Sequence, residues 1–214
     1  MTNREKYILS IYEELSDMGK HENVKLVKNT VNDGIYIKKT LKNYNIEIYK
    51  ILKNRQIKGI PKVYEIIEDE KELIIIEEYI HGLTLDKKYN KTDVETVKKI
   101  MEQLCNILKQ LHNMNPPIIH RDIKPTNIIV SNDDVVYLVD FNISREYDEN
   151  QSVDTVIMGT QGYASPEQCG FAQTDCRSDI YSIGMLMKNI LMVDEYPDKE
   201  TKSLKRIIDK CTSI

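Results

Sequence analysis

The stretch His120-Arg121-Asp122-Ile123-Lys124-Pro125-Thr126-Asn127 is the most informative segment of this chain of 214 residues. Two short runs of β-type residues follow it, at residues 128–130 and 135–139, with turn residues between them. The sequence Asp140-Phe141-Asn142 comes directly after the second run. Polar loop residues without a chemical role would rarely show so many specified residue types at fixed spacing. We therefore expect this segment to carry the chemistry of the protein.

The two segments resemble the catalytic and metal-binding loops of protein kinases, whose patterns are HRDxKxxN and DFG. In phosphoryl transfer one carboxylate holds Mg²⁺, a side-chain amide completes the coordination and a second carboxylate orients the attacking hydroxyl. The resemblance implies that Asp140 and Asn127 bind Mg²⁺, that Asp122 is the base or orienting group, and that Lys124 contacts the γ-phosphate of ATP. The Lys124-Pro125 form of the loop resembles serine/threonine kinases rather than tyrosine kinases.

Two later segments extend the resemblance. Residues 159–167, ending in Ser165-Pro166-Glu167, resemble the segment that seats a substrate peptide and ends in the APE motif. Small-molecule phosphotransferases with a kinase-like core lack this segment, so the resemblance favours protein substrates. Residues 178–184 resemble the DxxxxG helix, in which we expect Asp179 to hold the catalytic loop through backbone N–H groups.

The hydrophobic pattern predicts two regions of different structure. Up to about residue 80, short apolar runs alternate with turn residues such as Asn32-Asp33-Gly34, which predicts a small antiparallel sheet with one helix near residues 45–52. From Val94 to Leu111 the apolar residues recur at spacings of three and four, which is typical of a helix. We expect an α+β, two-lobed protein-kinase-like fold over residues 1–214, with a small lobe at about 1–79 and a mostly helical lobe at 80–214.

The segment Tyr36-Ile37-Lys38-Lys39-Thr40-Leu41 resembles the VAIK strand, whose lysine contacts the α- and β-phosphates of ATP. Two adjacent lysines compete for this role. We choose Lys39, because side chains alternate along a strand and Lys39 shares the face of Ile37 and Leu41. Ile37 is then expected to face the adenine, and Lys38 to point to the opposite, solvated face.

Glu47 is our candidate for the helix glutamate that pairs with this lysine. It precedes Leu52 by one residue more than the usual pattern, and an exposed helix charge is the alternative. The segment from Ile76 to Gly82 resembles the hinge between lobes, where backbone groups of Glu78 and Ile80 would bind the adenine edge. The resemblance also assigns nucleotide contacts to Val24 and Ile129.

The sequence departs from the family pattern in the phosphate loop, at the DFG glycine and at the rear of the adenine pocket. Asp17, Gly19 and Glu22 stand at the three glycine positions of the phosphate loop, so only the middle glycine is kept. Asn142 replaces the glycine of DFG, and asparagine tolerates a positive φ better than most residues. Glu77 is unusual at the position that guards the rear of the adenine pocket.

The end of the chain also departs from the pattern. Kinase C-lobes continue into a further helix, whose arginine pairs with the APE glutamate, here Glu167. We expect this last helix to be missing, leaving Glu167 without its partner unless Arg206 substitutes. A pseudokinase that serves as a binding or scaffolding module is therefore the alternative function. The joint presence of five catalytic residue types favours an active enzyme: Lys39, Asp122, Lys124, Asn127 and Asp140.

Arg121 beside Asp122 marks the kinase type in which a phosphate on the activation segment pairs with this arginine. Thr155 is our first choice for that site and Ser152 the second, with self-phosphorylation in trans as one route. We expect Thr160 to contact Asp122 and Lys124 instead of carrying phosphate.

Composition restricts the remaining function classes. The net charge of −4 offers no general attraction to nucleic acid or an anionic membrane, and no apolar run reaches the roughly 20 residues of a membrane span. The histidines His21, His81 and His112 have no metal-ligand spacing, and we expect them at the surface or in turns. Four cysteines without regular spacing fit free thiols in the cytoplasm: Cys105, Cys169, Cys176 and Cys211.

Overall fold

The computed structural model of the chain describes residues 1–18, 23–70, 72–89, 91–148, 159–169, 173–191 and 199–213. The chain forms two units, Met1–Ile80 and His81–Ile214. Five residues with a predicted role or location lie outside the described residues: Gly19, His21, Glu22, Ser152 and Thr155.

The first unit is built on an antiparallel sheet of five strands in the order β1-β2-β3-β5-β4. Its strands are β1 Tyr12–Asp17, β2 Val24–Asn29, β3 Ile35–Leu41, β4 Val63–Asp69 and β5 Glu72–Glu78, and its helices are α1 Asn3–Ser10 and α2 Ile46–Asn54. The turn after β2 contains Asp33 at φ 56°, a conformation that aspartate tolerates better than most residues. Strand β5 lies between β3 and β4, which explains its continuous apolar centre Leu73-Ile74-Ile75-Ile76.

The burial pattern of helix α2 decides which of its side chains are accessible. Asn45 caps the helix by accepting a hydrogen bond from the backbone N–H of Glu47. The buried face consists of Ile48, Tyr49 and Leu52. Their spacing of one and four residues forms one apolar stripe, so Glu47 lies outside it and is exposed.

The second unit is mostly helical. Its helices are α3 Leu85–Lys88, α4 Val94–His112, α5 Cys176–Ile190 and α6 Lys199–Cys211. Strands β6 Gly82–Thr84, β8 Ile128–Ser131 and β9 Val136–Leu138 form one small sheet, and β7 Ile118–Ile119 pairs with β10 Arg145–Glu146. The α+β composition predicted from the sequence is confirmed, with the sheet in the first unit and most of the helix in the second. None of the described helices combines the length and the apolar character needed to cross a membrane.

The hairpin β8–β9 positions the two loops that the sequence singles out. The loop of residues 120–127 leads into β8 through a short 3₁₀ turn, Pro125–Asn127, and Asp140 follows β9. The backbone N–H of Val139 donates to the carbonyl of Asn127 at 2.9 Å, which ties the end of one loop to the start of the other. The fold therefore fixes both loops against the same hairpin.

Candidate active site

Asp122 is the centre of a hydrogen-bonded cluster in the second unit. The ammonium group of Lys124 lies 2.7 Å from Asp122 Oδ2. The Asn127 side-chain amide donates from Nδ2 to the same Oδ2 at 2.8 Å and to the Asp122 carbonyl at 2.9 Å. The 3₁₀ turn at Pro125–Asn127 brings these groups together over a separation of only five residues. A cation and an amide thus hold one carboxylate oxygen in place.

The other carboxylate oxygen of Asp122 accepts a hydroxyl group. Thr160 donates from Oγ1 to Asp122 Oδ1 at 2.7 Å, and Lys124 donates to Thr160 Oγ1 at 2.8 Å. The expected contact of Thr160 with both residues is confirmed. The geometry also shows that Asp122 Oδ1 can accept an O–H hydrogen bond while Oδ2 stays paired.

Asp179 anchors the catalytic loop from helix α5. Its side chain is fully buried, Oδ2 accepts the backbone N–H of His120, and Oδ1 accepts that of Arg121, each at 2.9 Å. The predicted structural role of Asp179 is confirmed. His112 lies 2.8 Å from Asp179 Oδ2 with 14% of its side chain exposed, so the expectation that His112 is a surface residue is wrong. The lack of metal-ligand spacing around His112 gives no information about a long-range contact of this kind.

Sequence reasoning missed Gln168. Its amide is buried, donates to the carbonyl of Arg121 at 2.7 Å and accepts from the backbone N–H of Ser165 at 3.1 Å. Gln168 therefore joins the catalytic loop to residues 159–169. Its neighbours Pro166-Glu167 belong to the recognised motif, but no pattern in the sequence marks Gln168 itself.

Asp140 has the features of a cation ligand. Its Oδ1 atom is buried and has no hydrogen-bond partner among the described residues. Asn127 donates to Asp122 through its Nδ2 group, and its side-chain oxygen is the part suited to a hard cation. A buried carboxylate oxygen without a donor is costly, and a bound cation would remove that cost. These two residues fit a divalent cation that takes its other ligands from water and phosphate.

The sequence comparison suggested a positive φ at Asn142, where the family has a glycine, but the structure has the positive φ two residues earlier, at Asp140. The positive φ of 69° lies at Asp140, whereas Asn142 is not among the described residues with positive φ. The tolerance of asparagine for the left-handed region is therefore not used at position 142. The strain lies at the candidate ligand, as is common at functional sites.

Lys39 lies on the buried face of β3 in the first unit. Burial alternates along the strand, so Ile37, Lys39 and Leu41 are buried together. Lys38 points to the other face and forms an ion pair with Glu14 at 2.8 Å. The alternation of side chains along the strand favours Lys39 over Lys38 as the lysine of the nucleotide site.

The partner of Lys39 differs from the sequence expectation. The Lys39 ammonium lies 2.6 Å from Glu77 Oε1, on strand β5. Glu47 instead pairs with Lys50 at 2.7 Å, and both side chains are more than half exposed. The assignment of Glu47 as the partner of Lys39 is wrong in this structure, because the buried stripe of α2 begins one residue later, at Ile48.

The other expected nucleotide contacts occupy strands or strand ends. Val24 is the register partner of Lys39 on β2, and Ile129 is half-buried on β8. The backbone N–H of Glu78 donates to the Lys62 carbonyl at 2.8 Å, so this N–H is not available to a nucleotide base. The main chain of Ile80 makes no backbone–backbone hydrogen bond with the described residues.

A hydroxyl group, and not an arginine, contacts Glu167 in the described part of the chain. The Ser178 hydroxyl donates to Glu167 Oε1 at 2.7 Å, and Glu167 is only half-buried. Arg206 is exposed on α6 and forms no ion pair among the described residues. The Glu167 carboxylate therefore has a hydrogen-bond donor at one oxygen and is partly open to solvent.

Residues 14–214 match the family described as protein kinase domain. A probable serine/threonine-protein kinase of Clostridium acetobutylicum is 35% identical over 131 residues, which cover 60% of this chain and 20% of that protein. Serine/threonine-protein kinase A of Synechocystis is 36% identical over 137 residues, which cover 58% of this chain and 26% of that protein. Serine/threonine-protein kinase PknB of Mycobacterium tuberculosis is 36% identical over 121 residues, which cover 55% of this chain and 19% of that protein. The chain spans about a fifth to a quarter of the length of these curated relatives. The chain belongs to the protein kinase domain family.

Proposed function

We propose that this chain is an ATP-dependent protein kinase that transfers the γ-phosphate of ATP to serine or threonine hydroxyls of protein substrates. The observation that carries the proposal is the cluster around Asp122, in which Lys124 and Asn127 hold Oδ2 while Oδ1 accepts a hydroxyl at 2.7 Å. A carboxylate oxygen can accept two hydrogen bonds, so a substrate hydroxyl beside that of Thr160 would be oriented by the same oxygen.

The roles of the second unit follow from its charges. Asp122 accepts the proton of the attacking hydroxyl as the new P–O bond forms and the bond to the β-phosphate oxygen breaks, releasing ADP. Lys124 carries the positive charge that favours a γ-phosphate nearby. Asp140 and Asn127 would hold Mg²⁺, which when bound neutralises phosphate charge. Ile129 would contribute an apolar contact to the nucleotide base.

The roles in the first unit are nucleotide contacts. Lys39 would contact the α- and β-phosphates, and Val24 and Ile37 would pack against the base. Backbone groups of Ile80 and Glu78 would bind its polar edge; the Ile80 main chain has no backbone hydrogen bond among the described residues, which supports its role. Gly19 remains a predicted phosphate-loop contact.

Support for a protein substrate comes from residues 159–169. Gln168 and Thr160 tie this segment to the catalytic loop, so a peptide seated on it would present its hydroxyl near Asp122. The relatives named above are serine/threonine-protein kinases, which supports the same hydroxyl class here. Self-phosphorylation in trans at Thr155 or Ser152 belongs to the same proposal.

Phosphate incorporation measured by intact mass tests the proposed function. Phosphatase-treated protein would be incubated with Mg²⁺ and ATP, alone and with a mixture of serine- and threonine-containing peptides. We expect phosphopeptides from the unmodified chain and none above background from Asp122→Asn. Folded protein that binds ATP but transfers no phosphate would overturn the enzyme assignment in favour of a pseudokinase.

A further inference from the structure

The ion pair between Lys39 and Glu77 is among the most buried charge pairs in the described part of the first unit. The two charged groups lie 2.6 Å apart, and the side chains are 9% and 10% exposed. Removing one member of such a pair breaks a short, buried contact and takes this partner from the other charge, which is destabilising. The two residues therefore depend on each other.

The register of the sheet fixes this pair. Strands β3 and β5 are antiparallel neighbours in which Lys39 faces Ile75 and Ile37 faces Glu77. Lys39 and Glu77 are thus diagonal neighbours, two positions apart on one face of the sheet. Because backbone hydrogen bonds hold both strands, the pair does not depend on any movement of a helix.

Helix α2 offers no acidic group at this position. The helix turns Ile48, Tyr49 and Leu52 inward, and its acidic residue Glu47 is 58% exposed and bound to Lys50. Moving Glu47 to the buried face would require a rotation of α2 that exposes its apolar stripe. Glu77 therefore supplies the negative charge that helix α2 does not.

We propose that Glu77 is the positioning residue for Lys39 in nucleotide binding and phosphate transfer. This inference rests on the proposed function, since it takes Lys39 as the lysine that contacts ATP. Glu77 lies 2.6 Å from the ammonium group and holds it at one place on the face of the sheet. The orientation of Lys39 is then set by the sheet and is independent of the position of helix α2.

Kinetics of three variants test the positioning role. Glu77→Gln keeps the shape of the side chain and removes its charge, and we expect kcat/KM for ATP to fall at least about tenfold, as for other residues that orient a catalytic group. Glu77→Asp keeps the charge and should lose less. The matched control is Glu72→Gln, the same change on the same strand, which should stay within about twofold of the unmodified chain.

Glu47→Gln separates the proposal from the family expectation. If Glu47→Gln loses as much kcat/KM for ATP as Glu77→Gln, or if Glu77→Gln behaves like Glu72→Gln, the proposal is overturned. A loss of kcat/KM that disappears when rates are expressed per folded molecule would also contradict a role in holding Lys39 on the bound nucleotide.

A cycle of unfolding measurements keeps the inference testable without kinase activity. Lys39→Met and Glu77→Met should each lower the thermal midpoint by about 10 °C. The double variant should recover part of that loss, because the second substitution removes a charge that has already lost this partner. Glu47→Met combined with Lys39→Met should show no such recovery. If the losses of thermal midpoint in Lys39→Met and Glu77→Met simply add in the double variant, the pairing is overturned. If the two losses are strongly non-additive but the chain transfers no phosphate, only the proposed function is rejected.

Discussion

The backbone N–H of Arg121 donates a 2.9 Å hydrogen bond to Oδ1 of Asp179, which lies 58 residues further along the chain. Arg121 has a φ of 69°, a conformation that costs on the order of 1 to 3 kcal/mol for a residue with a side chain. Asp179 also accepts the N–H of His120, so its carboxylate holds two consecutive backbone groups of the strained segment. The catalytic loop therefore keeps its shape through helix α5.

Asp179→Asn tests this anchor. The substitution removes the charge and turns an amide NH₂ group toward groups that are themselves donors, so we expect a loss of about 3 kcal/mol in the free energy of unfolding. The thermal midpoint should fall by about 6 to 12 °C. Asp209→Asn, an exposed position on α6, is the control and should change the free energy of unfolding by less than about 0.5 kcal/mol. Equal midpoints for the two variants would contradict the anchoring role.

Asp122→Asn should separate activity from stability. The asparagine keeps the shape of the side chain but accepts the substrate proton poorly, so we expect the initial rate of peptide phosphorylation to fall by about 10²- to 10⁴-fold. The thermal midpoint should stay within a few degrees of the unmodified chain. Asp133→Asn, in the exposed turn after β8, is the matched control for rate and midpoint. A rate loss below about tenfold in Asp122→Asn would argue against its role as base.

Thr160→Ala removes the hydroxyl that links Asp122 and Lys124. We expect the rate of phosphate transfer to fall by roughly tenfold, the value of one hydrogen bond to a charged group. Thr160→Ser keeps the hydroxyl and should retain most of the rate. If the serine and alanine variants lose the same activity, the hydroxyl is not the important part of the side chain.

The second unit shows what the sequence could predict. The roles of Asp179 and Thr160 followed from the resemblance, because the spacing around Asp122, Asp140 and Asp179 places each residue on an element whose geometry the fold determines. His112 and Gln168 could not be predicted in the same way. Their contacts join positions 67 and 47 residues apart, and a polar residue in sequence does not indicate which distant group it meets.

The first unit shows a different limit of sequence reasoning. The alternation of side chains along β3 correctly placed Lys39 with Ile37 and Leu41, and Lys38 on the other face, because the two-residue repeat of a strand is a local property. The partner of Lys39 depends on which face α2 buries and on the register between β3 and β5. Both are tertiary properties, and the one-residue offset between Glu47 and Ile48 was enough to expose the expected glutamate.

Asp140→Asn tests the candidate metal ligand. Because Oδ1 of Asp140 is a buried acceptor without a described partner, removing its charge should raise the thermal midpoint of the metal-free chain by about 2 to 4 °C, or roughly 1 kcal/mol. Mg²⁺ with ATP at about 100 times Kd should stabilise the unmodified chain by about 2.7 kcal/mol, and EDTA should remove the Mg²⁺-dependent part. The variant should lose that Mg²⁺-dependent stabilisation. A variant that still responds to Mg²⁺ would argue against Asp140 as the ligand.

Gly184 packs helix α5 against helix α6. A Cβ atom at this position would lie 2.7 Å from Cys211 Cβ and 2.7 Å from Thr212 Cγ2, too close for an ordinary contact. We expect Gly184→Ala to destabilise the chain by about 1 to 3 kcal/mol in urea unfolding, as for other overpacked sites. The paired variant Gly184→Ala with Cys211→Gly should regain part of that loss, and an unchanged stability of the single variant would contradict the close packing.

His120 should make the stability of the chain depend on pH. The His120 ring is fully buried, and its centre lies 4.8 Å from that of the Phe141 ring. Its Nδ1 atom accepts a hydrogen bond from the backbone N–H of Asp122 at 3.3 Å. The proton of the neutral ring is therefore on Nε2, which lies 3.2 Å from the Val139 carbonyl oxygen. Burial lowers the pKa of His120 below 6.5, although the charges of Asp179, Asp122 and Asp140 act in the opposite direction. Protonation at Nδ1 would also break the hydrogen bond from Asp122.

The pKa of His120 is lower in the folded chain than in the unfolded chain, so the unfolded chain binds more protons below about pH 6.5. The stability that neutral His120 supplies is therefore lost as the pH falls from about 6.5 toward the pKa of the folded chain. We expect the free energy of unfolding in urea to fall by up to about 1.4 kcal/mol per pH unit between pH 6.5 and 5.5. His120→Phe, which keeps an aromatic ring but does not titrate, should flatten this part of the profile, and His81→Gln should leave it unchanged. A slope that persists in His120→Phe would assign the pH dependence to another group.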